Sequence, residues 1–190
     1  MPPDRASSVP VADELNLVRR AQAGDQGAFT LLYDAYMDRI YRYVYFRVAD
    51  DGTAEDITSQ VFLKAWEKLD SFKTDGPPFV AWLYQVAHNA VIDYYRTRKQ
   101  TIPIEEAAPM PARGESLDDT MDRQFDLEVL RASLQQLTSE QQQVIVLKFI
   151  ARLSTEEIAR VMKKREGAIR ALQMRALQTL AKFLKEEKSQ

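Results

Sequence analysis

Apolar side chains recur at intervals of three and four residues over the first hundred positions, which is the spacing of one face of a helix. The first run predicts a long amphipathic helix with an inner face of Phe29, Leu32, Tyr33, Tyr36, Met37, Ile40, Tyr41 and Val44. A second helix is predicted after Asp51-Gly52, with Thr53 and Asp56 as a capping box and an inner face of Ile57, Val61, Ala65 and Leu69. A third helix is predicted after Gly76-Pro77-Pro78, with an inner face of Phe79, Leu83, Val86, Ala90 and Tyr94. Residues 10–99 are therefore expected to form one helical domain.

Helical spacing resumes near residue 127 and continues to about residue 187. Its first stripe is Leu127, Leu130, Leu134 and Leu137; Thr138 or Ser139 then caps a helix that carries Val144, Leu147 and Ile150. Ser154 and Glu157 form a capping box for a short helix with Ile158, Val161 and Met162 on its buried face. After the turn Lys163-Lys164-Arg165, a longer helix packs through Ile169, Leu172, Ala176, Leu180 and Phe183. Short helix, tight turn and longer helix predict a helix-turn-helix in residues 127–187.

Between the two predicted domains, residues 100–126 lose the periodicity and contain Pro103, Pro109, Pro111 and Gly114. We interpret this segment as a mostly extended acidic linker. Its 27 residues could span about 90 Å at about 3.3 Å per residue, more than the roughly 70 Å of two turns of duplex DNA. The chain is thus expected to be all-α, with two small domains able to reach two separated DNA segments.

Charge is distributed unevenly around a formal net charge of −2. Residues 1–99 carry 12 basic and 14 acidic side chains, residues 100–126 carry 2 and 7, and residues 127–190 carry 12 and 7. The last third is therefore locally basic, as expected of a nucleic-acid-binding module. Cysteine is absent, which excludes disulfides and thiolate metal sites. With no signal peptide or membrane-length apolar run, a cytoplasmic protein is the simplest interpretation.

Two helices carry candidate nucleic-acid chemistry. Arg165, Arg170 and Arg175 on the last helix, with Lys163 and Lys164 in the preceding turn, suit phosphates and guanine edges in a major groove. The alternative is a solvated basic face. In Pro78–Lys99, Trp82, Asn89 and Arg96 lie seven residues apart and are predicted to share a face away from the core, where stacking and hydrogen bonding suit unpaired bases. For Trp82 the alternative is a place in the core.

Nothing in the sequence favours an enzyme. His88 is the only histidine, and it has no partner at metal-ligand or catalytic-triad spacing, so a structural or surface role is expected. There is no glycine-rich phosphate loop, and no metal or organic cofactor is expected.

Three blocks, in order, resemble the sigma-70 superfamily of RNA polymerase sigma factors, and the two-domain layout resembles its extracytoplasmic-function (ECF) group. Ala54–Trp66 is similar to the stretch of region 2 that docks on core polymerase. The resemblance implies a docking surface formed by Asp56, Gln60, Phe62, Lys64 and Trp66. Phe72–Lys99 is similar to the part that captures a flipped base of the melted −10 element, with Phe72–Phe79 at the place of the specificity loop. The −10 contacts implied are Phe72, Lys73, Phe79, Trp82, Asn89 and Arg96.

Leu153–Leu177 resembles the part of region 4 that recognises the −35 element. The contacts implied are Lys163, Lys164, Arg165, Glu166, Gly167, Arg170, Ala171, Met174 and Arg175. Lys163 replaces a common glycine, and Arg165 stands where serine or threonine usually caps the recognition helix. The resemblance implies core RNA polymerase and promoter DNA as partners, and an anti-sigma factor as a further one. A free-standing helix-turn-helix regulator, which would bind duplex DNA unaided as a dimer, is the main alternative.

Overall fold

The computed structural model describes residues 11–48, 50–101 and 129–187. Within these ranges every regular element is helical, which confirms the predicted all-α class. The elements before residue 102 are α1 (Val11–Gln22), α2 (Gln26–Val48), α3 (Asp51–Glu67), a 3-10 turn (Leu69–Ser71) and α4 (Phe79–Thr101). After a helical segment at 129–135 come α5 (Ser139–Ile145), a π-helical turn (Val146–Ile150), α6 (Thr155–Met162) and α7 (Glu166–Glu187).

Helices α1 to α4 pack around a core of large apolar side chains. α2 buries Leu32, Tyr36, Ile40, Tyr43 and Val44 against Ile57 and Val61 of α3. α4 contributes Phe79, Leu83 and Tyr84, with the Tyr43 and Tyr84 rings in edge contact at 5.3 Å. The predicted inner faces are largely confirmed, but Tyr33 is 38% exposed and contacts the Phe62 ring from outside.

Two helix ends differ from the sequence prediction. α3 begins at Asp51, and its N-cap is Asp50, whose carboxylate accepts a hydrogen bond from the Thr53 backbone N–H at 2.7 Å. The predicted capping box of Thr53 and Asp56 is therefore wrong, because Thr53 already lies inside the first turn. α4 continues to Thr101, two residues beyond the predicted end at Lys99. The prolines assigned to the linker, and Leu127, lie outside the described residues.

The C-terminal helices follow the predicted caps closely. Thr138 forms a capping box with Gln141, and Ser154 forms one with Glu157. The second core contains Leu134, Val144, Leu147, Ile158, Val161, Ile169, Leu172 and Ala176.

The two groups of helices contact each other directly, in what we call the closed arrangement. Arg47 of α2 donates hydrogen bonds to the carbonyl and hydroxyl oxygens of Ser139 at 3.3 and 3.2 Å. Gln142 Nε2 donates to the Phe46 carbonyl at 3.1 Å, and Gln85 Nε2 of α4 donates to the Arg160 carbonyl at 2.9 Å. Polar side chains of both groups therefore contribute to the interface between them.

Candidate nucleic-acid interface

The helix-turn-helix is held by local hydrogen bonds at both ends of α6. At its start, the Ser154 backbone N–H donates to Glu157 Oε2 at 2.7 Å, and the Glu157 N–H donates to Ser154 Oγ at 3.2 Å. At its end, Lys163 adopts the left-handed conformation with φ 53° and ψ 43°. Glycine adopts this conformation most readily, which explains the glycine of the family pattern at this position. The backbone turn therefore forms with lysine in its place.

α7 has a buried face and an exposed face. Ile169, Leu172 and Ala176 face the core. Eight of the nine residues predicted to contact the −35 element are exposed, namely Lys163, Arg165, Glu166, Gly167, Arg170, Ala171, Met174 and Arg175. Arg165 occupies the capping position without a hydroxyl, and its carbonyl accepts from the Ala168 N–H at 2.9 Å. The ninth residue, Lys164, is half-buried and pairs with Glu140 of α5 at 2.9 Å.

The exposed side of α7 carries an apolar stripe. Helical periodicity did not identify this stripe. Met174 is 58% exposed and Leu177 is 43% exposed, and both line a shallow depression of about 410 Å³ beside Arg170. Arg170 is itself paired with Glu166 at 2.7 Å. The exposed face of α7 thus combines guanidinium groups with apolar contact area.

The loop Phe72–Phe79, predicted to be the specificity loop, is anchored by aromatic side chains at both ends. Phe72 is 5% exposed and Phe79 is 1% exposed, and their rings meet edge to face at 5.5 Å. Trp82 is half-buried and lies 5.3 Å from Phe72 and 5.5 Å from Phe79, measured between ring centroids. Trp82, predicted to share an exposed face with Asn89 and Arg96, is therefore less exposed than either of them. Phe72 and Phe79 support the loop from inside, and Trp82 packs on both rings while part of its surface stays accessible.

The remaining residues predicted to contact the −10 element are exposed. Lys73 lies on the loop, Asn89 lies midway along α4, and Arg96 pairs with Asp93 at 3.1 Å. Asn89 also lines a cleft of about 350 Å³ whose opposite wall includes Lys163 and Lys164. The closed arrangement thus brings predicted −10 and −35 residues to one cleft.

The predicted polymerase-docking residues of α3 divide into exposed and buried members. Asp56 and Gln60 are exposed, Trp66 is 38% exposed, and Lys64 pairs with Asp93 of α4 at 3.9 Å. Phe62 is only 5% exposed, so this structure does not present it to a partner. Sequence reasoning missed Leu63, which is 59% exposed on the same helix. Its place between Gln60 and Trp66, outside the buried stripe, is the pattern that could have identified it.

Burial shifts the pKa of two side chains near the predicted DNA-contacting elements. Desolvation, reinforced by the charge of Arg47, lowers the pKa of His88 to about 4, so its imidazole is neutral at pH 7. The pKa of Glu14, a 4% exposed residue of α1, is raised by burial despite the opposing effect of its hydrogen bond from the Phe79 N–H. A structural or surface role for His88, as the sequence indicated, stays a prediction.

Neither a metal site nor a membrane-spanning helix is found in the described part of the chain. Within residues 11–48, 50–101 and 129–187, no three histidine, cysteine, aspartate or glutamate side chains cluster where they could hold a metal ion. No helix in those ranges is both long and apolar enough to cross a bilayer.

Family models match both groups of helices. Residues 32–101 match Sigma-70 region 2, and residues 127–180 match Sigma-70, region 4. The chain belongs to the sigma-70 family of RNA polymerase sigma factors, in its ECF group. The two models follow each other in the order that the sequence blocks indicated, which favours a sigma factor over a free-standing regulator.

Relatives and solved structures resemble this sigma factor over most of its length. ECF RNA polymerase sigma factor BldN of Streptomyces coelicolor is 39% identical over 91% of this chain, which spans 66% of BldN. ECF RNA polymerase sigma factor SigW of Bacillus subtilis is 27% identical, with 89% of this chain matched to 95% of SigW. The sigma factor RpoE of Bartonella quintana was solved in complex with the anti-sigma factor NepR. It is 26% identical to this chain, with a TM-score of 0.66, and the match covers 83% of this chain and 96% of the RpoE chain.

Proposed function

We infer that this sigma factor directs promoter-specific transcription initiation by bringing core RNA polymerase to two promoter elements. The observation that carries the inference is the exposed face of α7, the second helix of the helix-turn-helix. Arg170, Ala171, Met174 and Arg175 lie on this face. A helix N-terminus and arginine forks in that geometry suit a major groove. The chain supplies binding surfaces for transcription and no chemistry of its own.

We propose that α7 reads the −35 element. Arg170 and Arg175 lie at different points along the exposed helix and would approach base edges, while Lys163 and Lys164 in the turn would approach phosphates. Because Lys164 is paired with Glu140, its contact with phosphate requires that this ion pair open.

We further propose that the specificity loop and α4 capture a base of the −10 element once the duplex has melted. Lys73 and Asn89 are the exposed polar members of this surface, and Arg96 extends it toward the end of α4. Phe72 and Phe79 act beneath the loop as anchors, because both are buried.

The docking surface for core polymerase is proposed on the exposed side of α3. Asp56, Gln60 and Trp66 form it, together with Leu63, whose exposure of 59% is high for a large apolar side chain. Such a mixture of apolar and polar groups suits a helix-on-helix contact. Since its proposed partner is core polymerase, we place this sigma factor in the cytoplasm.

An anti-sigma factor is a further proposed partner. Support comes from RpoE of Bartonella quintana, which resembles this chain and is described in complex with the anti-sigma factor NepR.

The proposal is tested with the purified chain and core polymerase on genomic DNA, by sequencing the transcripts. We expect start sites preceded by shared −10 and −35 sequences, and retention of a promoter fragment in a gel shift only when core polymerase is present. Tight, sequence-specific binding of duplex DNA by the chain alone, as a dimer, would instead favour a free-standing regulator.

A further inference from the structure

Helix α4 begins without a capping side chain of its own. The residue before Phe79 is Pro78, whose carbonyl accepts from the Ala81 and Trp82 N–H groups at 3.0 and 3.2 Å. Proline has no side-chain acceptor, whereas the first turn of a helix leaves backbone N–H groups without an intrahelical partner. The Phe79 N–H is one of these groups, and Phe79 is 1% exposed. It therefore needs an acceptor from elsewhere in the chain.

Glu14 of α1 supplies that acceptor. Its Oε1 accepts from the Phe79 N–H at 3.2 Å across a separation of 65 residues. Its other oxygen accepts a hydrogen bond from the Tyr36 hydroxyl of α2. Glu14 is only 4% exposed, and a negative charge is favourable at a helix N-terminus. A buried carboxylate thus caps the helix at the exit of the specificity loop.

Gln22, the last residue of α1, holds the entrance of the same loop. Its Nε2 donates to the Leu69 and Phe72 carbonyls, both at 2.9 Å. An amide nitrogen has two protons and can satisfy two carbonyls, whereas a carboxylate has none to donate. Between these points, Lys73 and Asp75 are exposed. The two ends of the loop are therefore both tied to α1.

We propose that Glu14 and Gln22 are positioning residues for −10 recognition: α1 clamps the two ends of the Phe72–Phe79 loop and so sets which −10 base it accepts. This inference rests on the proposed function, because it assigns the specificity of the same loop. Both residues lie on α1, outside the loop itself. Each acts through backbone groups of the loop. Because both residues lie on α1, outside Phe72–Lys99, the −10 block of the sequence could not reveal them.

The hold of Gln22 on the start of the loop is tested by Gln22→Glu. This substitution keeps the size of the side chain and removes the amide protons that bond the Leu69 and Phe72 carbonyls. We expect amide hydrogen exchange in a peptide covering residues 69–82 to rise about tenfold, the order expected for losing one to two hydrogen bonds. Exchange in residues 166–180 of α7 should not change. The matched control is Asn16→Asp, which adds the same charge at an exposed position of α1 and should behave as the parent.

The exit is tested by a pair of variants at one position. Glu14→Gln keeps an acceptor for the Phe79 N–H and can still bond the Tyr36 hydroxyl, so loop exchange should remain at the parent level. Glu14→Met keeps length without an acceptor and should accelerate loop exchange as Gln22→Glu does. Equal acceleration in both Glu14 variants would overturn the assignment of the cap to this hydrogen bond.

Selectivity is measured by transcription with core polymerase on promoters that carry each base at the unpaired −10 position, and on promoters altered only in the −35 element. Gln22→Glu and Glu14→Met should reduce discrimination at the −10 position about tenfold and leave −35 discrimination unchanged. The inference would be overturned if loop exchange accelerated in these two variants while discrimination at the −10 position stayed intact. It would also be overturned if loop exchange did not change in them. If the parent directed no transcription, the proposed function would be wrong, while the exchange experiment would still decide whether α1 clamps the loop.

Discussion

Lys163 is one of two non-glycine residues with positive φ in the described ranges, the other being Arg152. A side chain in the left-handed region costs about 1 kcal/mol relative to glycine. We expect Lys163→Gly to raise the free energy of unfolding by up to about 1 kcal/mol, measured by urea denaturation. Lys163→Ala is the matched control, because it removes the same charge and retains the strained backbone. Equal stability of the two variants would contradict the backbone explanation.

His88 gives the stability of the protein a defined pH dependence. Its pKa of about 4 in the folded state lies below the ordinary value of 6.5, so the unfolded chain takes up a proton first as the pH falls. The stability linked to His88 is therefore present above pH 6.5 and is lost between pH 6.5 and about 4, at about 1.4 kcal/mol per pKa unit. Arg47 faces this imidazole, while Glu140, Lys163 and Lys164 line the same cleft.

His88→Gln should remove this contribution. We expect the urea midpoint of the parent to fall further than that of His88→Gln when the pH is lowered from 7.5 to about 4.5. Parallel curves for the two proteins over this range would show that His88 is not held neutral by the fold.

At the scale of the element, α3 places a core residue and a surface residue side by side. Phe62 is 5% exposed and Leu63 is 59% exposed. We expect Phe62→Ala to lower the free energy of unfolding by about 3 to 5 kcal/mol. Leu63→Arg should leave stability nearly unchanged and reduce co-purification with core polymerase, as should Asp56→Arg and Gln60→Arg. Asn16→Arg, on the exposed side of α1, is the control, and equal co-purification by all four arginine variants would exclude this surface.

The two kinds of DNA contact proposed for the helix-turn-helix predict different defects. Arg170→Ala or Arg175→Ala should flatten discrimination among −35 variants, with about 1 to 3 kcal/mol lost for a good base contact. Lys164→Ala should weaken binding to all sequences alike and lower the salt slope by about one. The matched control is Lys182→Ala, an exposed cation farther along α7. Unchanged selectivity in both arginine variants, across a full −35 library, would contradict this placement of α7.

Helical periodicity and capping chemistry are local, and they predicted α2 to α7, the cap at Ser154, and Thr138 as one of two candidate caps. They did not predict α1. Asp50 was missed because Asp50, Asp51 and Thr53 stand close together and any of them could cap. The burial of Phe62 and Phe72 depends on which helices pack on them, which periodicity does not specify. The contact of Glu14 with Phe79 spans 65 residues, so only the folded chain brings that pair together.

At the scale of the whole molecule, the closed arrangement is expected to be incompatible with promoter binding. Asn89 and the turn of the helix-turn-helix line one cleft of about 350 Å³, so the proposed −10 and −35 surfaces face each other across a narrow gap. The elements that these surfaces are proposed to read also lie apart on DNA. Opening of the interface must therefore precede, or accompany, engagement of both elements.

A cysteine pair can test this requirement without competing thiols, because the chain has no cysteine. Gln85 and Arg160 touch across the interface at 2.9 Å. In the double variant Gln85→Cys/Arg160→Cys, a short bis-maleimide should abolish promoter-dependent transcription, and each single variant treated alike should remain active. Full activity of the cross-linked protein would show that promoter binding does not require separation of the two groups of helices.

The polarity of this interface has a consequence for how the activity of the protein can evolve. Arg47 is 2% exposed and Gln143 is 3% exposed, and Arg47 Nε and His88 Nδ1 find no hydrogen-bond partner among the described residues. Buried polar atoms without partners weaken a contact, and about 1.4 kcal/mol suffices to change the open population tenfold. A genetic screen for hyperactive alleles should therefore recover substitutions at Ser139 or Gln142, residues that touch neither promoter nor polymerase in the surfaces proposed above. Such substitutions would raise activity while leaving the promoters that the protein recognises unchanged.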